Sequence, residues 1–156
     1  MIYTVKQFIE KHIELIENDD FKSMYILAES QIPSQIGNLT VNLIKAGINP
    51  LDSLSTVWRF MFADSMIDTI YIPDNIEGID SQAFRSCYYM QSVSIPRDIK
   101  YIHQYAFFAC YGLSHIEYRG TVEEFKNIDL HPSIFTDCDT SIVHCLDGDV
   151  IVSEAS

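Results

Sequence analysis

The chain has 156 residues, enough for one domain with a sizeable core and too few for two domains of ordinary size. Its composition, 47% hydrophobic with 6 Gly and 5 Pro, excludes a disordered chain. Twenty-two Asp and Glu against 10 Lys and Arg leave a net charge of -12, a sign that repels phosphate backbones and argues against direct nucleic-acid binding.

Residues 1–47 read as helical. Thr4 followed by Gln7 is a capping box, and Val5, Phe8, Ile9, Ile13 and Ile16 form one helical stripe, so the first helix runs to about Asn18. A second helix is expected from Asp20 to about Ser30, and a third from about Ser34 to Ala46, stopped by Gly47 with Pro50 behind it. Lys6, Glu10, Lys11 and Glu14 interrupt the apolar run, so neither a signal peptide nor a membrane span can be drawn here. The expectation is a cytoplasmic setting, in a bacterium or a phage-infected bacterial cell, where four cysteines stay reduced.

From residue 70 the chain repeats itself every 23 residues. Ile70, Val93 and Ile116 share a register, as do Ile72, Ile95 and Tyr118, then Ile76, Ile99 and Val122, then Ile79, Ile102 and Phe125. Two copies also share Pro73 with Pro96, Ala83 with Ala106, Phe84 with Phe107, Cys87 with Cys110, and Met90 with Leu113. A degenerate copy 22 residues upstream places Leu54 under Ile76, Val57 under Ile79, Phe62 under Phe84 and Ser65 under Cys87. The third copy loses the Ala-Phe and Cys positions, and Ile142 with His144 restarts the strand pattern after 26 residues.

In one copy, Ile70 and Ile72 flank Tyr71 as a short strand with one buried and one wet face. Pro73-Asp74-Asn75 then turns the chain, and Ser81 to Phe84 reads as a helical turn with Phe84 inward. A lone coil cannot bury its apolar edge, so coils near 48–69, 70–92, 93–115 and 116–141 stack, closed by a terminal strand at 142–152. The expected fold is an α+β repeat: a solenoid of short parallel strands with residues 1–47 as a helical cap over its first coil.

The copies from Ile70 to Leu113 resemble the BspA-like leucine-rich repeats, whose unit runs I-x-I-P-x-x-V-x-x-I-x-x-x-A-F-x-x-C-x-x-L. The stretch from Glu117 to Asp149 is similar to the closing segment that follows such arrays. The resemblance implies a leucine-rich-repeat-type binding scaffold and no enzymology.

The chemistry-bearing residues have plain readings. Cys87 and Cys110 fill one slot in adjacent coils, near enough to consider oxidation, but buried cysteine packs as a small hydrophobe. Cys138, His144, Cys145 and His131 lack paired zinc-ligand spacing, and Asp137, Asp139, Asp147 and Asp149 lack the calcium-loop pattern, so no metal and no cofactor are expected. Cys145, His144 and Asp147 hold the atoms of a nucleophilic site in the wrong arrangement, since strand neighbours point apart. No enzyme is expected.

Binding surfaces remain. Tyr71, Ser94 and Glu117 fall in one outward register on the strands, and Tyr88, Tyr89 and Tyr111 follow the cysteine slot, where tyrosine offers contact area at low entropy cost. Glu123, Glu124, Asp137 and Asp139 belong to an acidic stretch, 117–154, that carries -7 by itself. The leading expectation is a non-catalytic protein-interaction module with a protein partner. The alternative is a small acidic phage-type inhibitor that occupies the basic nucleic-acid-binding surface of a host defence nuclease. The open end of the array also suits a homodimer by edge pairing.

Overall fold

In the computed structural model, which describes residues 3–152, Thr4 opens helix α1 (Val5–Lys11) through the capping box. Its Oγ1 accepts from Gln7 N at 3.1 Å, and Gln7 Oε1 accepts from Thr4 N at 2.9 Å. The single helix expected to reach Asn18 breaks at His12, and α2 (Ile13–Glu17) resumes after it. A tertiary contact accompanies the break: His12 Nε2 lies 2.9 Å from Gln31 Oε1 at the far end of α3 (Phe21–Gln31), while its ring packs locally on Phe8 at 4.6 Å. Asp20 caps α3, and a 3-10 turn at Pro33–Gln35 leads into α4 (Ile36–Lys45), which ends before Gly47 at φ 86°.

The helices press directly on the first coil. Tyr25 OH donates to Thr40 Oγ1 at 2.6 Å, and Thr40 Oγ1 donates to the Met61 carbonyl at 2.6 Å, all of it buried. Gly37 lies so close to the backbone of Phe62 and Ala63 that a Cβ there would fall inside the Ala63 carbonyl. One continuous hydrophobic core runs from Phe8 to Val143.

Beyond residue 55 the chain is a β-solenoid of about four turns. One sheet holds β1 (Thr56–Val57), β3 (Gly78–Ile79), β5 (Tyr101–Ile102) and β7 (Asp129–Leu130), all parallel. The other holds β2 (Thr69–Tyr71), β4 (Ser92–Ile95), β6 (His115–Tyr118) and β8 (Ile142–Cys145), also parallel, with β9 (Gly148–Ile151) returning antiparallel along β8. Ile70, Val93 and Ile116 are direct register partners, as the 23-residue period requires. The upstream copy is also placed as expected: Val57 pairs with Ile79, and Phe62 stacks on Phe84 at 4.9 Å.

The segment expected as a helical turn is a different structure. Gln82 and Ser86 have φ of 60° and 59°, and Phe60, Asp64, Tyr105 and Ala109 repeat these left-handed positions in the coils on either side. A helical turn would spend its N–H groups internally, whereas here Phe84 N and Ser86 N donate to the next coil, to Ala106 O at 2.8 Å and Phe108 O at 2.7 Å. The inter-coil bonds hold a backbone that costs about 1–2 kcal/mol per left-handed residue.

The third copy is corrected most. Val122 and Phe125 do not occupy the slots of Ile99 and Ile102: they lie in a short helix, α5 (Val122–Lys126), and Leu130 pairs with Ile102 instead. Nor are the later positions lost. Ile134-Phe135 replace Ala-Phe, with Phe107 N donating to Ile134 O at 3.0 Å and Phe135 stacking on Phe107 at 5.4 Å, and Cys138 fills the cysteine slot. The strand does restart at Ile142, but the residue in register with Ile116 is Val143, which is fully buried, while Ile142 faces out.

Candidate interaction surface

The cysteine column is structural. Cys87, Cys110 and Cys138 each donate to a carbonyl of the preceding coil, at Phe62, Phe84 and Phe107, at 3.0, 3.1 and 3.0 Å, and Ser65 heads the column 3.8 Å from Cys87 Sγ. All four cysteines are free. The neighbouring thiols of Cys138 and Cys87, together with burial, push the Cys110 thiol far above its ordinary range, so it stays protonated.

The C-terminal cluster is likewise separated. His144 Nδ1 meets Asp149 Oδ1 at 2.8 Å and its ring stacks on His115 at 5.0 Å, while Cys145, next along β8, pairs with Gly148 and has its thiol pushed up by burial and by Asp147 and Asp149. His131 Nδ1 accepts from Ser133 N, far from this strand in the chain. Among the described residues no three His, Cys, Asp or Glu side chains are placed to share a metal ion.

Tyr71, Ser94 and Glu117 do form the expected column, and His144 extends it by one strand. Sequence reasoning missed Arg119, which lies across this face. Its guanidinium covers the Tyr71 ring at 4.0 Å and donates to Ser94 Oγ at 2.9 Å, to Asp74 Oδ1 at 2.7 Å and to the Ile72 carbonyl at 2.6 Å. The signal available was a lone basic residue two positions past an outward strand residue, within reach of the two preceding coils.

Glu124 is committed to the fold. It receives a bidentate bond from Arg97 at 3.0 and 2.9 Å and closes the capping box with Thr121, and the Arg97 bond first, then the Thr121 N–H, hold its carboxyl below the usual range. Glu123, Asp137 and Asp139 are exposed. Tyr88 and Tyr111, one coil apart, stack nearly parallel at 4° with centroids 5.3 Å apart, yet stay 51% and 59% exposed, and Tyr89 beside them is 59% exposed.

Residues 45–141 match the model of the BspA type leucine-rich repeat region, in six copies. The chain belongs to this family. This chain is similar to a leucine rich cell surface protein from Faecalibacterium prausnitzii A2-165, whose crystal structure matches at 29% identity and a TM-score of 0.47. The match covers 48% of this chain and only 20% of that protein. No curated protein matches. Among the described residues no helix is long and apolar enough to cross a membrane.

Proposed function

We infer that this chain is a non-catalytic protein-interaction module. One observation carries the reading: stacked coils hold outward aromatic and polar side chains in fixed rows, and Cys87, Cys110 and Cys138 are bonded into the core. Residues 1–47 act as the cap that keeps the first coil from water. The four free cysteines favour a cytoplasmic setting, in a bacterium or a phage-infected cell. Cross-linking mass spectrometry of the intact protein in host lysate tests the module. Cross-links from the tyrosine turns or the β2–β8 face are expected, weakened by changes at Tyr71, Tyr88 and Glu117. Finding no protein partner would refute it.

A second reading rests on the acidic, outward-facing stretch from Asp137 to Asp149, where residues 132–152 contain no Lys or Arg. A phage-type inhibitor of a host defence nuclease would bind a basic surface, weaken steeply with salt and compete with nucleic acid. Salt-insensitive binding excludes it.

A further inference from the structure

Charge is segregated around the coils. The ten cations sit on residues 6–45 and at Arg59, Arg85, Arg97, Lys100, Arg119 and Lys126, whereas the stretches 60–72, 86–96, 109–118 and 132–152 contain none. Those four stretches run from the turns into the β2–β8 sheet and carry Asp64, Asp68, Glu117, Asp137, Asp139, Asp147 and Asp149; Arg119 reaches over Tyr71 and Ser94 there, and Arg85 pairs with Asp64. Among these stretches stands the exposed Tyr88–Tyr111 stack. Its slot in the next coil is Asp139, because Cys138 follows Cys110 in the cysteine column.

Two parallel phenol rings left half in water present flat outer faces to a partner at low entropy cost, and the negative surroundings favour a cationic group. A guanidinium meets both demands. It is planar, weakly hydrated, stacks on tyrosine faces and pairs with carboxylates, whereas an ammonium is a strongly hydrated point charge with no face to stack. Within this structure the same chemistry occurs already where Arg119 covers Tyr71 while bonding Asp74, and where Arg85 lies over Phe60 while pairing with Asp64.

Resting on the interaction-module reading, we propose that the Tyr88–Tyr111 stack is the anchor point for an arginine-bearing extended segment of a protein partner, with Asp137 and Asp139 pairing the segment's further basic residues. On the strand face Arg119 already lies over one side of the 59% exposed Tyr71, so the turn flank, where the tyrosines stack only on each other, is the docking edge.

Fluorescence anisotropy of the intact protein with two labelled peptides of equal length and charge, one of alternating Arg and Gly and one of alternating Lys and Gly, tests this. The Arg peptide is expected to bind about tenfold more tightly than the Lys peptide, the size of two exposed cation–π contacts. Tyr88→Ser with Tyr111→Ser removes that preference without altering net charge, and Tyr88→Phe with Tyr111→Phe retains it. Asp137→Asn with Asp139→Asn weakens both peptides alike. Circular dichroism and thermal melting check that each variant folds. Equal binding of the two peptides, no binding at low salt, or an Arg preference that survives Tyr88→Ser with Tyr111→Ser overturns the proposal. A partner that cross-links elsewhere and ignores the tyrosines also overturns it while leaving the module reading intact, whereas absence of any protein partner removes both.

Discussion

Phe135 stacks on Phe107 at 5.4 Å although 28 residues separate them, five more than separate Phe84 from Phe107. The ring column Phe62–Phe84–Phe107–Phe135 is therefore continuous through all four coils, and the five extra residues are absorbed by α5 on the outside.

Position in that column sets the energy of each ring. Phe107 is fully buried with a ring on both faces, and Phe135, at the end, has one neighbour and 6% exposure. Phe107→Ala should destabilise by about 4 kcal/mol and Phe135→Ala by about 3 kcal/mol or less. Urea unfolding measures both, and a larger loss at Phe135 would contradict the stacked order.

Gly37 sits inside α4, where alanine would normally gain about 1 kcal/mol of helix propensity. Its Cβ would meet the Ala63 backbone, which cannot move aside without breaking the bond from Phe62 N to Ala83 O. Gly37→Ala should therefore destabilise, by about 2 kcal/mol. A raised melting temperature would show that helices and coil are not pressed together there.

Burial of the Tyr25 phenol raises its pKa well above the ordinary 10.0 despite the bond to Thr40. The folded state then binds the proton more tightly than the unfolded chain, so the contribution is complete below pH 10 and is lost as pH climbs from there toward the raised folded value. In that window stability should fall by about 1.4 kcal/mol per pH unit from this residue. Tyr25→Phe removes the slope at the cost of the Thr40 bond, and chemical denaturation at pH 9, 10 and 11 reads it. An unchanged slope in the variant would assign the alkaline loss to other groups.

Arg119 ties three coils together through one guanidinium whose side chain is only 16% exposed. Arg119→Ala should cost about 2 kcal/mol, and Arg119→Lys should recover less than half, because one ammonium nitrogen cannot span the positions that the two guanidinium nitrogens reach separately, nor stack on Tyr71. Thermal melts of the two variants test this, and full recovery by lysine would reduce the clasp to simple charge pairing.

The 23-residue period, the alternation in each strand and the capping box at Thr4 determined from sequence alone that this chain is a capped solenoid with Ile70, Val93 and Ile116 in one row. These are local or strictly periodic signals, and stacking turns a period directly into a contact. The α5 insertion erased the period after residue 121, so the assignment of Phe135, Cys138 and Val143 to their slots was set by the core, which has room for one ring and one thiol per coil. Tertiary structure alone showed the break at His12, and it decided the left-handed turns and the placement of Arg119 over Tyr71, because these two depend on partners from other coils. It also decided how each tyrosine is engaged: Tyr71, Tyr88 and Tyr111 look alike as letters and are similarly exposed, but a distant guanidinium lies over the first while the other two stack on each other.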